Sequence, residues 1–169
     1  MTRRHPNVVN VDELSPVQDP HGRFDPRTRY LADAASGREI GCSHVELAPG
    51  KVAWPFHHHL ANEEAIFVLE GTGTARIGDA SIEIRAGDYI ALPAGPGAAH
   101  QTINTGTGPL RYLCFSTMIL TDVVGYGDTG KVGVRQWERG PDGVRRRVLR
   151  DNYPAGTEVD YWSGEDLGE

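Results

Sequence analysis

Long hydrophobic runs are missing from this chain of 169 residues. No stretch approaches the roughly 20 consecutive apolar residues of a membrane-spanning helix. The opening segment MTRRHPNVVNVDEL has basic residues but no apolar stretch behind them, so no secretory signal is read and a cytoplasmic protein is expected. Cysteine is scarce. Cys42 and Cys114 stand alone, outside any C-x-x-C pair, which argues against a thiolate zinc site and suits buried thiols better than a disulfide framework. Lysine occurs only at positions 51 and 131, and the formal net charge is −6. Nucleic acid is therefore not expected as a partner. The single basic run, VRRRVLR at 144–150, has the pattern of a solvated strand face. Helical periodicity is absent from the middle of the chain.

What the chain does have is glycine, 21 residues of it, and 11 prolines, a composition suited to many tight turns. Between the turns lie short runs with strand character: 37–47, 64–70, GTARI, ASIEIR, YIALP, HQTIN and LRYLCFSTMIL. In ASIEIR, Ile82 and Ile84 share one face and Glu83 and Arg85 the other. Short strands at regular spacing predict an all-β sandwich or barrel. Residues 1–37 are broken by Pro16, Pro20, Gly22 and Pro26 and are expected as an irregular arm, with a short strand at 8–11 and one helical turn in LADAAS. The barrel core is assigned to 38–120. An extension at 121–169 contains the strand-like runs VGVRQWER and VRRRVLR, and the acidic tail whose Tyr161 and Trp162 are expected to pack on the barrel or on a partner copy.

The chemistry is concentrated in PFHHHLANEEAIFVLEG, residues 55–71. Alternate residues of a strand share a face, so His57 and His59 aim together and His58 aims away. Of the adjacent Glu63 and Glu64 only one can join them, and periodicity alone does not choose. Phe67 and Leu69 are expected to cover a second buried layer. Further on, GDYIALPAGPGAAHQTIN runs through a Pro/Gly turn into His100, which a hairpin can return to the first group. GYGDTGKV, residues 125–132, nearly spells a phosphate-binding loop. Val132 replaces the required hydroxyl and a strand pattern follows, so nucleotide binding is rejected.

These two segments resemble the paired motifs of the cupin superfamily. The first is carried by Gly50, His57, His59, Glu64 and Gly71, a register that selects Glu64 over Glu63. The second is carried by Gly87, Pro93, Gly95, His100 and Asn104, with four residues between Gly95 and His100 where two are usual. The resemblance implies a double-stranded β-helix, the jelly-roll barrel, with a metal held by His57, His59, Glu64 and His100, and a homodimer packed sheet to sheet. It assigns turn roles to the glycines and a turn-backbone bond to Asn104.

Three imidazoles and a carboxylate suit a divalent ion such as Fe, Mn, Ni, Co or Zn. Positions left open on the ion could take a bidentate substrate, a water, or substrate with O₂. The expected function is a metal-binding protein acting on a small molecule in the barrel. Dioxygenase-type chemistry ranks first, because no arginine shows an inward register and a phosphate-bearing substrate would need cations. Sugar isomerase, epimerase or decarboxylase chemistry and a non-catalytic binding or sensing role are the alternatives.

Overall fold

The computed structural model describes residues 5–166 and 168. The outermost parts of the expected arm and tail, residues 1–4, 167 and 169, lie outside them. Strands dominate: β1 (Arg27–Tyr30), β2 (Ile40–Leu47), β3 (His58–His59), β4 (Glu64–Glu70), β5 (Thr72–Ile77) and β6 (Ala80–Arg85). They continue with β7 (Tyr89–Leu92), β8 (His100–Ile103), β9 (Leu110–Thr117), β10 (Thr121–Tyr126), β11 (Lys131–Arg139) and β12 (Arg145–Tyr153). One four-residue helix, Leu31–Ala34, supplies the helical turn of LADAAS. Among the described residues no helix is long and apolar enough to cross a membrane.

The named strands pair antiparallel throughout, and one isolated parallel bridge joins Phe24 to Val52. One sheet has the order β1-β2-β9-β4-β7, a second β12-β11-β10-β3 and a third β6-β5-β8. The second and third are stitched together where His57 and His100 exchange backbone hydrogen bonds of 3.1 and 2.7 Å. The result is a jelly-roll barrel, the all-β fold expected. Its core draws Val45, Leu47, Ile66, Val68, Leu92, Leu110 and Tyr112 from the first sheet and Ala75 and Ile84 from the third. Full burial of each large side chain stabilises by about 1.5–3 kcal/mol.

Several expectations are corrected. Residues 8–11 form no strand; a 3-10 turn at Val11–Glu13, capped by Asn10, occupies the end of that run. The arm is not irregular throughout, because Arg27–Tyr30 pairs with β2 along the barrel's first sheet. TDVVGY, unassigned from sequence, is the strand β10 and bonds directly to β3. Phe67 and Leu69 cover no second layer and are exposed, as is Ile82, two residues before the buried Ile84 on the same strand. Tyr161 and Trp162 are 82% and 58% exposed and touch each other edge-on, so they do not pack on this barrel. Cys42 and Cys114 are both free. They oppose Phe115 and Ser43 in adjacent registers and so point to opposite faces. The rejected phosphate loop is the β10–β11 hairpin, and Asp128 at its tip pairs with Arg76 at 2.9 Å.

The glycine pattern has concrete geometry at two places. Gly71 turns β4 into β5 at φ +84°, and a Cβ there would lie 2.3 Å from the Pro109 carbonyl oxygen. Gly125 lies opposite His58, whose ring would stand 2.2 Å from an added Cβ. The outward histidine is thus packed flat on a glycine.

Candidate metal centre

The strand period delivers the histidines. His57 and His59 point to one side of their strand, with ring centroids 5.1 Å apart. His100 opens β8 directly across from His57, with centroids 4.6 Å apart. Three of the four residues between Gly95 and His100 fold into a single 3-10 turn, Pro96–Ala98, which keeps His100 in reach. Glu64 begins β4 and shares its inner face with Ile66 and Val68. Glu63 is exposed.

Ligand atoms of His57, His59 and Glu64 all lie within 4.8 Å of one another. His100 joins through the carboxylate, Nε2 to Glu64 Oε2 at 3.1 Å, and Glu64 Oε1 stands 3.7 Å from His59 Nε2. The far side of each ring is anchored. His57 Nδ1 donates to the Pro55 carbonyl at 2.8 Å and His100 Nδ1 to the Ala98 carbonyl at 3.0 Å. A carbonyl only accepts, so both rings carry a proton on Nδ1, which leaves Nε2 as the atom that can ligate. His59 Nδ1 faces Asp122 Oδ2 at 2.5 Å.

This arrangement tests whether a cation fits. Imidazole Nε2 atoms and carboxylate oxygens converge at 3.1 and 3.7 Å. Such a cluster repels itself unless a proton or a metal ion sits among the acceptors. Neighbouring ligands on an ion with bonds of about 2.1 Å stand about 3 Å apart. The donor set fits a divalent ion of the borderline class.

Electrostatics follow from the crowding. Burial, then the neighbouring His100, pushes His57 down to about 4, so it stays neutral and available as a ligand. Burial opposes charge on His59 as well, but the Asp122 hydrogen bond and the Glu64 carboxylate outweigh it and raise its pKa. Burial also opposes ionisation of Glu64, yet the His100 hydrogen bond and the other imidazoles leave its pKa lowered. Asp122 is held down at about 2: its desolvation is overcome by His59, by Asn62 Nδ2 at 2.9 Å and by the Ala61 amide at 2.9 Å.

Two residues of this region were not found in the sequence, Asp122 and Tyr126. Both lie on β10. Tyr126 stacks against His57, ring centroids 6.3 Å apart and 28° between planes. The signal that could have found them is the alternation in TDVVGY, whose Asp122, Val124 and Tyr126 share one face.

The family profile described as a cupin domain matches residues 43–116, the stretch that supplies all three histidines and Glu64. These residues form a cupin domain. A solved structure similar to this cupin is a candidate sugar phosphate isomerase of Acidithiobacillus ferrooxidans, 27% identical over 85% of this chain and 92% of that one, with a TM-score of 0.72. A sugar phosphate isomerase from a cupin superfamily of Silicibacter pomeroyi is 23% identical over 83% and 92%, TM-score 0.70. A predicted oxalate decarboxylase of Thermotoga maritima is 23% identical over 66% and 99%, TM-score 0.56. The last two speak to fold alone. Among curated proteins, an uncharacterised protein of Methanocaldococcus jannaschii is 37% identical over 60 residues, which span 36% of this cupin and 46% of that relative, so under half of the relative's length is matched.

Proposed function

We propose that this cupin is a metal-dependent enzyme that holds a divalent ion, such as Fe, Mn, Ni or Zn, on His57, His59, Glu64 and His100 and acts on a small oxygen-bearing molecule beside it. The observation that carries the reading is the convergence of three imidazoles on the Glu64 carboxylate, each imidazole anchored from behind through Nδ1. A bound ion of this class supplies a Lewis acid that polarises a carbonyl or hydroxyl oxygen. The protein does the rest. Glu64 offsets part of the cation's charge, Pro55 and Ala98 fix the ligating tautomers of His57 and His100, and Asp122 orients His59. Ile66 and Val124, both buried, keep the surroundings poor in water.

Proton transfer on a hydroxycarbonyl compound, the isomerase type, is the reaction we favour. The similarity to the candidate sugar phosphate isomerase supports it, because that match takes in 85% of the chain and so reaches well beyond the cupin domain. The expectation that no arginine faces inward, which had placed dioxygenase chemistry first, is corrected by Arg135: it opposes Asp122 in the sheet register and donates to Tyr126. Dioxygenase-type oxidation is the second reading, favoured by the apolar inner face of Ile66 and Val68 beside Glu64. A cytoplasmic homodimer that binds small molecules and no nucleic acid completes the proposal, in keeping with the net charge of −6.

The test is metal content by mass spectrometry on untagged protein purified without chelators or nickel resin, beside a His57→Ala/His100→Ala variant. About one equivalent, lost in the variant, is expected. Less than about a tenth of an equivalent, with no uptake on adding metal, overturns the reading. Metal-loaded protein then goes to aldose–ketose interconversion assays and to an oxygen electrode, and turnover in one but not the other chooses between the two reactions.

A further inference from the structure

Sheet register extends the metal face beyond the cupin domain. Val124 opposes His59 and Gly125 opposes His58, so the next pair in register sets Tyr126 against His57. On the following strand Asp122 opposes Arg135, Val124 opposes Gly133 and Tyr126 opposes Lys131. Directly opposed residues share a face. The face that carries His57 and His59 therefore continues through Tyr126 to Lys131 and Arg135.

Contacts agree with the register. Arg135 Nη2 donates to the Tyr126 hydroxyl at 2.8 Å and to Asn152 Oδ1 at 2.8 Å, and its Nη1 donates to the carbonyls of Val134 and Asp151. Gly133 makes this possible: a Cβ there would stand 2.7 Å from the guanidinium that lies across it. Lys131 Nζ lies 5.1 Å from the centre of the Tyr126 ring. The partners of Arg135 are all neutral oxygens, and among the described residues no carboxylate pairs with Arg135 or Lys131. Asp122, the carboxylate on this face of β10, is spent on His59. Two positive charges without a paired carboxylate thus stand beside Tyr126, Arg135 at its hydroxyl and Lys131 at its ring. That hydroxyl accepts from Arg135 and keeps its own proton to donate.

We propose that Tyr126, Lys131 and Arg135 form a subsite for an anionic oxygen group, phosphate or carboxylate, of the molecule that the ligand cluster acts on. The proposal rests on the metal reading only for the identity of that molecule as substrate. The subsite itself needs no metal. Its position beside His57 suits a compact acid or phosphate ester whose reacting oxygens reach the cluster while its charge rests on the β10–β11 hairpin.

The experiment uses metal-free full-length protein at pH 8, titrated with methyl phosphate and with acetate and followed by calorimetry. Saturable one-site binding is expected, weakened at least about fivefold in Tyr126→Phe and in Lys131→Ala and unchanged in Arg146→Ala, which lies on the exposed outer strand. Arg135→Met is expected to weaken it further. Tyr126→Phe and Lys131→Ala keep the result readable if that third variant misfolds. Tighter methyl phosphate names a phosphate ester; tighter acetate names a carboxylate. No saturable binding of either probe, or equal affinity in Tyr126→Phe and Lys131→Ala, overturns the subsite. Metal content of the same proteins is measured in parallel, so failure of the metal reading and failure of the subsite appear as separate results.

Discussion

His59 and Asp122 are 63 residues apart in the chain and 2.5 Å apart in space, Nδ1 to Oδ2. One belongs to the histidine run at the edge of the barrel core, the other to a strand outside the matched cupin domain. A carboxylate behind a ligating imidazole fixes its tautomer and raises its basicity.

Asp122→Asn should therefore weaken metal binding about 10- to 100-fold. An amide that turns its NH₂ toward Nδ1 forces the ring to accept there and to carry its proton on Nε2. Competition against a chromophoric chelator measures the loss. Asp122→Ala should in addition lower the stability of the metal-free protein by about 1–3 kcal/mol, because the Ala61 amide loses its acceptor. Wild-type affinity in Asp122→Asn would remove Asp122 from any orienting role.

Substitutions within the histidine run should separate by face. His57→Ala, His100→Ala and Glu64→Gln should each cost at least about a hundredfold in metal affinity, while His58→Ala and Glu63→Ala should bind as the parent does. Metal stoichiometry after dialysis against a weak chelator reads the difference. A loss in Glu63→Ala equal to that in Glu64→Gln would reverse the choice of carboxylate.

The metal-free protein should lose stability as pH falls from 6.5 toward 4, the window between the ordinary pKa of His57 and its depressed folded value. In that window the unfolded chain binds a proton that the folded His57 refuses, so the folded state is disfavoured, by at most on the order of 3 kcal/mol. His59 works in the opposite sense. Its raised pKa stabilises the fold below the unfolded value, and that gain is lost as pH rises through the folded one. Urea melts of the parent and His57→Gln at several pH values isolate the first effect. Identical pH slopes in the two proteins would mean that His57 is not held neutral.

Two turn glycines should respond unequally to alanine. Gly87 has φ +95° and open space around an added Cβ, so Gly87→Ala should cost about 1–2 kcal/mol. Gly71 combines φ +84° with a Cβ position 2.3 Å from the Pro109 carbonyl oxygen. Backbone must move there, and Gly71→Ala should cost more than about 3 kcal/mol. Denaturant midpoints compare them, and equal midpoints would refute the close approach.

The core strands, the tight turns and the inward pairing of His57 with His59 could be read from the chain alone. These are local properties. A strand repeats every two residues, a glycine marks a turn that needs positive φ, and neither depends on what lies across the sheet. β4 illustrates the limit of that reading. Its alternation set Ile66 and Val68 inside, as observed, but could not say that the outer face of Phe67 and Leu69 lies uncovered.

What tertiary structure decided is everything that depends on which strands are neighbours. TDVVGY is short, and its aspartate and glycine weaken the strand signal that Thr121, Val123, Val124 and Tyr126 carry. It becomes a strand because β3 on one side and β11 on the other supply its hydrogen bonds. That pairing, made between segments some 60 residues apart, places Asp122 behind His59 and Tyr126 against His57. It also turns Arg135 toward the histidine face. The sequence by itself determined that His57 and His59 share one face beside Glu64. Long-range register, which no local periodicity encodes, decided what stands around it.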